Sequence, residues 1–418
     1  MSKPLQGFGV ISYLCILMKE AYIADGLRTP IGSFKGSLSN MRADDMAALV
    51  LKKLVERNPL IPADAIDDVI MGCANQAGED NRNIARMALL LAGIPMTVPG
   101  ETVNRLCASG MSAVINAARA VKAGDGDVFI AAGAEHMTRG PWVISKTTQA
   151  FGQDAQMYDS SFGWRFINPK MHEMYGTDAM GMTAENLAEM YKISREDQDK
   201  FAFHSQRKAA FAQQTGRLAE EIIAVEIAQK KGTPHIVQED EFLKPSTTVE
   251  KLAQLKPAFT KNGTVTAGNA AGLNDGAAAL YVLSGEALKQ YGVTPKARIV
   301  SSAVVGVEPR IMGIGPVNAT KQALRKAGLT LNDIDIIELN EAFAAQSLAV
   351  IRELGMADDD PRINPNGGAI ALGHPLGMSG TRIVNSAAIE LHKQNKRYAL
   401  ATMCIGLGQG YAVILERM

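Results

Sequence analysis

Short apolar runs rich in branched side chains alternate along the chain with longer stretches whose apolar positions recur at helical spacing. DDVIMG (67–72), GDVFIAAGA (126–134), IDIIELN (334–340) and YALATMCIG (398–406) predict strands. SAVINAARAVKAG (112–124) and SGTRIVNSAAIELHKQ (379–394) predict amphipathic helices, and the alternation as a whole predicts an α/β protein.

The pattern also repeats. AIDDVIMG is followed by VNRLCASGMSAVINAARAV and then DVFIAAG, while DIDIIELNEAF is followed by GHPLGMSGTRIVNSAAIEL and then YALATMCIG. In both cases the gap is about 40 residues, the signature of one βαβ-containing unit present twice. The stretch from Met137 to Leu273 has another texture, with Trp142, Trp164, PKMHEMYG and the charged helical segment SREDQDKFAFHSQRKAAF. The expected organisation is therefore a first half at 18–136, completed by about 274–294, a loop domain at 137–273 and a second half at 295–418. Residues 1–17 hold an apolar run with a single Lys3 before it and no small-residue cleavage pattern after it. They are read as an extension outside the fold rather than a secretion signal.

Composition narrows the chemistry. The chain has 418 residues, 47% hydrophobic and 21% charged, with 43 basic against 43 acidic side chains. Nothing in that balance steers it toward nucleic acid, and no apolar run approaches the roughly 20 residues of a membrane-spanning helix. The cysteines at 15, 73, 107 and 404 form no metal-binding spacing, so no metal site is expected. Free thiols suit a reduced, cytoplasmic setting.

Cys107 lies at the predicted junction between TVNRL, read as a strand, and the helix MSAVINAARAVKAG. His374 lies in the loop entering the second copy's helix, read as starting at Ser379. A helix N-terminus favours thiolate, so the thiol pKa is expected to fall below its free value of about 8.5. Two pseudo-equivalent helix starts facing one cleft bring thiol and imidazole together, the arrangement that activates a nucleophile. A buried inert cysteine and a structural histidine are the bland alternatives. A phosphate loop is disfavoured, because GHPLGMSGT lacks the lysine of the P-loop pattern and only eight residues follow GLGQG.

The conjunction of CASG around Cys107, NEAF at 340–343, GHP around His374 and CIG at 404–406 resembles the thiolases, from about Met18 to Met418. DGLRTPIGSFKG, TVTAGNAAGLNDGAAA and RIMGIGP agree with it. Through VNRLCASGM, SFGWRFINP and NPNGGAIALGHPLGMSG the resemblance is closest to the 3-oxoadipyl-CoA thiolases of aromatic catabolism. It implies a thiolase fold, two duplicated halves forming a five-layer αβαβα core with an inserted loop domain.

It also implies roles. Cys107 would be the acyl-accepting nucleophile activated by His374, and Cys404 the acid that protonates the enolate and the base that activates the incoming thiol. Asn340 would hold a water beside the enolate oxygen, and the backbone N–H groups of Cys107 and Gly406 would hold the tetrahedral oxyanion. Coenzyme A would be a co-substrate, with no permanently bound cofactor. Met180, Phe259, Ala267, Ala342 and Phe343 would line its pantetheine arm, with Lys244 also contacting the coenzyme. Ala179, Ala271 and Lys244 stand where short-chain biosynthetic members have histidine, serine and arginine, which counts against a plain acetoacetyl-CoA enzyme. A substrate ending in a carboxylate needs a cation, and Arg165 is the first candidate, Arg139 the second.

The expected partners are acyl-CoA substrates and further copies of the chain, as a homodimer or homotetramer. The expected reaction is cleavage of 3-oxoadipyl-CoA by CoA to succinyl-CoA and acetyl-CoA. Acetoacetyl-CoA formation or broader chain length, and a non-catalytic CoA-binding protein, are the competing readings. A ketosynthase would lack the second cysteine.

Overall fold

The computed structural model describes residues 19–418, so the reading of residues 1–17 as an extension lies outside the described residues. The core strands are β1 (Ala21–Arg28), β2 (Asp68–Gly72), β3 (Gly100–Val103), β4 (Val128–His136), β5 (Asn274–Ser284), β6 (Ala297–Gly306), β7 (Ile336–Leu339), β8 (Tyr398–Ile405) and β9 (Gln409–Arg417). The core helices are α1 (Ala43–Arg57), α2 (Ile84–Leu91), α3 (Ser109–Ala123), α4 (Gly315–Ala327), α5 (Ala344–Glu353) and α6 (Leu376–Lys393).

Hydrogen bonding runs along one path, β7-β8-β9-β6-β1-β5-β4-β2-β3. Its two halves share an order. β1-β5-β4-β2 in the first corresponds to β6-β9-β8-β7 in the second, with β2–β4 and β7–β8 parallel and the other neighbours antiparallel. Within the sheet path, and among the described residues, the halves join only through the short antiparallel contact Tyr22–Arg298 and Ile23–Ala297. The second half's counterpart of β3 has shrunk to a single bridge, Ile337 to Ile363.

Three apolar cores order the layers. Met46, Val50, Leu51 and Leu54 of α1, with Ile84 and Leu89 of α2, bury against the outer face of the first sheet. Val114, Ala117 and Val121 of α3, with Ile383, Val384 and Leu391 of α6, fill the space between the sheets. Val317 and Leu324 of α4, with Leu348 and Ile351 of α5, cover the outer face of the second. The stack is α-β-α-β-α, and α3 and α6 form its buried middle layer. This burial on every side explains why the strands read as continuous apolar runs: all nine residues of β4 and all eleven of β5 are buried.

Two predicted boundaries move. β3 stops at Val103 because Asn104 and Arg105 turn the chain into a short 3-10 turn, Leu106–Ala108, ahead of α3. α6 begins at Leu376 rather than Ser379, since Pro375 holds φ at −65° and caps the helix directly after His374.

Candidate active site

α3 and α6 cross at their N-terminal ends, and the crossing is built on glycine. A Cβ on Gly110 would lie 2.5 Å from the carbonyl oxygen of Gly377, and one on Gly380 would lie 2.2 Å from the backbone nitrogen of Met111. Only the absence of side chains there lets the two helix starts meet. Cys107 lies two residues before α3 and His374 two residues before α6, so the crossing delivers both to one region.

The loop before His374 is fixed by residues that the sequence reading did not single out. Gly373 has φ +107°, and its Cα faces Asn274 so closely that a Cβ would lie 2.5 Å from that amide carbon. Asn274 Oδ1 accepts the backbone N–H of His374 at 2.9 Å. Farther upstream, the buried carboxylate of Glu341 accepts from Ser205 Oγ, Asn364 Nδ2 and the backbone N–H of Ile370. NEAF therefore contributes a brace for the histidine loop as well as Asn340.

The imidazole is buried and held at both nitrogens. Nδ1 lies 2.6 Å from Ser379 Oγ, which lies 2.9 Å from the carbonyl oxygen of Pro375; Nε2 faces Asn340 Nδ2 at 3.5 Å. The serine has one hydrogen and the carbonyl can only accept. Both serine contacts are satisfied when Ser379 donates to Pro375 and Nδ1–H donates to Ser379, which leaves Nε2 unprotonated, its lone pair facing the Asn340 amide N–H at 3.5 Å. Burial, helped by the charge of Arg382, pushes the His374 pKa down to about 3, so the ring is a neutral base.

Cys107 is half-buried. The expected fall in its pKa does not occur: burial pushes the thiol up to about 11, outweighing the backbone N–H groups of Gly406 and of Cys107 itself, which favour the thiolate. The helix start helps, but removal from water costs the anion more. Cys404, at the end of β8, is fully buried in an apolar nest with Ala184, Val265, Met312 and Phe343. That nest and the nearby Cys107 hold its thiol protonated.

Met180 overhangs this floor: a Cβ on Gly406 would lie 3.8 Å from its sulfur and 3.3 Å from Leu106 Cδ1. Phe259 packs edge-on to Phe343 at 6.2 Å, and Ala342 and Phe343 are buried beneath. Ala267 is exposed, as is Lys244, whose ammonium sits 5.2 Å over the Phe242 ring. Arg165 donates to the Ser160 carbonyl and to Asn75 Oδ1, each at 3.2 Å. Arg139, by contrast, is paired with Glu79.

Among the described residues, Cys73, Asp80 and Glu135 form one group with metal-ligand atoms close together. Its carboxylates are already occupied. Glu135 accepts the N–H groups of Ala74, Asn75 and Gly377, and Asp80 those of Gln76 and Gly78. The group is a hydrogen-bonded brace between the Ala74 turn and α6.

Sequence signals existed for one of the missed residues. Gly110-Met111-Ser112 follows Cys107 at the same spacing as Gly377-Met378-Ser379 follows His374, so Ser379 sits in a repeated triplet. Asn274 and Glu135 come from distant strands and carry no such mark.

Models of the thiolase N-terminal domain and the thiolase C-terminal domain match residues 21–286 and 293–417. The chain is 60% identical over 401 residues to a beta-ketoadipyl-CoA thiolase of Escherichia coli, covering 96% of this chain and 100% of that one. Identity and coverage are the same with the 3-oxoadipyl-CoA/3-oxo-5,6-dehydrosuberyl-CoA thiolase of Escherichia coli strain K12. The crystal structure of human mitochondrial 3-ketoacyl-CoA thiolase superposes with a TM-score of 0.89 at 40% identity, covering 96% of this chain and 100% of that one.

Proposed function

The chain belongs to the thiolase family, and from that premise we propose that it cleaves 3-oxoadipyl-CoA with CoA to give succinyl-CoA and acetyl-CoA. The observation that carries the reading is the glycine crossing of α3 and α6, with Cys107 and His374 each two residues before one of the crossing helices and Cys404 close to Cys107.

Cys107 sulfur attacks the 3-keto carbon as its proton passes to the unprotonated Nε2 of His374. The backbone N–H groups of Cys107 and Gly406 stabilise the tetrahedral oxyanion. The C2–C3 bond then breaks, leaving succinyl on Cys107 and the enolate of acetyl-CoA. Its oxygen takes the Nε2–H that His374 has just gained and a water held by Asn340, whose Oδ1 has no partner among the described residues. Cys404 gives its proton to the carbanion, then takes one from the incoming CoA thiol, whose sulfur attacks the acyl-cysteine; succinyl-CoA forms as the Cys107 sulfur leaves and recovers its proton from His374. The raised thiol pKa keeps Cys404 protonated until the carbanion forms and makes its thiolate a base toward the CoA thiol afterwards.

The 137–273 segment is the loop domain in this proposal. It supplies Met180 and Phe259 to the pantetheine wall, joined by Ala267, Ala342 and Phe343, with Lys244 for the nucleotide end. Arg165 receives the distal carboxylate of the substrate. Among the described residues its guanidinium has only neutral oxygen partners, so the cation is available to an acyl chain ending in a carboxylate, the kind of substrate that both bacterial relatives' names carry. A cytoplasmic homodimer or homotetramer completes the proposal, supported by β3 at the end of the sheet path with Leu91 and Met96 exposed close by in the chain.

Thiolysis rates on 3-oxoadipyl-CoA, acetoacetyl-CoA and longer 3-oxoacyl-CoAs test the reading, with Cys107→Ala as the control. The C6 dicarboxylic substrate is expected to give the highest kcat/KM, and Arg165→Ala to lower that value selectively. Equal losses for 3-oxoadipyl-CoA and acetoacetyl-CoA would remove Arg165 from the role.

A further inference from the structure

Two backbone N–H groups stand near the Cys107 sulfur, and they come from opposite halves of the chain. One belongs to the turn before α3, the other to Gly406 in the turn between β8 and β9. Their separation must be held to a fraction of an ångström for both to serve one oxygen. Each lies beside a strained residue: Leu106 has φ +48° and Leu407 has φ +63°, left-handed values that a branched side chain seldom adopts.

Only part of the strain is held locally. Asn104 Oδ1 accepts the N–H of Leu106, and Ser109 Oγ accepts that of Arg105. What ties the two turns to each other is the side chain of Arg105. Its Nε donates to Ser112 Oγ on α3 at 2.9 Å, and its Nη1 donates to Gln409 Oε1 at 2.9 Å, three residues beyond Gly406. The guanidinium carbon lies 5.8 Å from the centroid of the buried Tyr411 ring, a cation–π contact on the same strand as Gln409. It has no carboxylate partner among the described residues. A planar fork with one prong on each half is a rigid spacer, which a flexible lysine is not.

We propose that Arg105 is a positioning residue, a strap that sets the spacing of the Cys107 and Gly406 N–H groups across the two halves. This rests on the reading above, in which those groups receive the oxyanion. The substrate does not touch the guanidinium; the strap acts through the two turns.

The test is single-turnover acylation of Cys107 by 3-oxoadipyl-CoA, run beside alkylation of the same thiol by iodoacetamide, which passes through no oxyanion. Arg105→Ala and Gln409→Ala are each expected to slow acylation by roughly 100-fold, the cost of displacing a preorganised group by about 1 Å. Alkylation should fall by much less than acylation, since the same N–H groups touch it only through the thiolate, and acylation by the double variant should fall within about threefold of the slower single one, as coupled residues do. Arg105→Lys should recover only part of the loss. Additive losses, or alkylation falling in step with acylation, would overturn the strap. If an alanine variant does not fold, Gln409→Glu decides, since it keeps an acceptor: acylation near that of wild type supports the strap, and a loss as deep as that of the Arg105→Lys protein refutes it. Failure of the wild-type protein itself to acylate would overturn the functional reading and the strap with it, whereas active wild type with uncoupled variants removes the strap alone.

Discussion

Ser379 Oγ stands 2.6 Å from Nδ1 of His374 and donates a hydrogen bond to the carbonyl oxygen of Pro375, so one hydroxyl fixes both the orientation and the tautomer of the ring. Removing it leaves a buried N–H without a partner, at a cost of about 1–3 kcal/mol. Ser379→Ala should lower kcat by roughly 10- to 100-fold with KM little changed, because the lost orientation matters when the proton moves. Ser379→Thr keeps the acceptor and should retain most of the activity. Steady-state kinetics on both variants check this, and an unchanged kcat in Ser379→Ala would dismiss the orienting role.

The neutral His374 and the raised Cys107 pKa predict a specific pH dependence. With the thiol at about 11 and the imidazole at about 3, no ion pair exists at neutral pH. Iodoacetamide alkylation of Cys107 in the free enzyme should climb steadily from pH 6 to beyond pH 9, about tenfold per unit. A plateau near pH 7 would instead reveal a preformed thiolate–imidazolium pair.

At the helix crossing, Gly377 tolerates no side chain. A Cβ there would lie 2.3 Å from the carbonyl oxygen of Ala134 and 2.7 Å from that of Gly72, both backbone atoms of the first sheet. Gly377→Ala must push α6 away from β4, and overpacking of this kind costs about 1–3 kcal/mol. Urea unfolding should show that loss, and acylation should fall further than stability alone explains because His374 moves with the helix. Wild-type acylation in a folded Gly377→Ala protein would show the site to be less dependent on the crossing than its geometry implies.

Burial also writes a pH dependence into stability. It pushes the carboxyl of Glu338 on β7 up to about 8 and that of Glu135 on β4 up to about 7, from an ordinary 4.5. The native state therefore holds protons that the unfolded chain has released. The stabilisation is full below the ordinary carboxyl pKa and is lost as pH rises through the folded values. Glu338→Gln cannot ionise, so its Tm relative to wild type should improve by roughly 3 °C or more between pH 5 and pH 8.5. A difference that does not change with pH would mean that Glu338 is charged throughout, neutralised by the nearby Arg382.

The strands, the duplication and the placing of Cys107 and His374 at two helix starts were legible because they rest on local periodicity and on spacing within each copy. The thiol pKa was misjudged because a helix terminus is visible in sequence, whereas the depth at which it lies is not. Asn274 and Glu135 escaped for a related reason. Asn274 meets the histidine loop a hundred positions away in sequence, and Glu135 meets α6 across 242. No local pattern records such a contact. Ser379 was within reach, since the repeated Gly-Met-Ser triplet marks it, but its meaning depends on where the hydroxyl hydrogen goes.

The matched helix starts have a consequence for ancestry. Two identical copies brought together in this way would have placed the same side chain on each side of the axis, giving a symmetric pair with no division of labour. Fusion into one chain freed the two sides to diverge, one to a thiol and the other to an imidazole. The serines five positions beyond diverged in company: Ser112 receives Arg105 and Ser379 receives His374, so one inherited hydroxyl now anchors a spacer on one side and orients a base on the other.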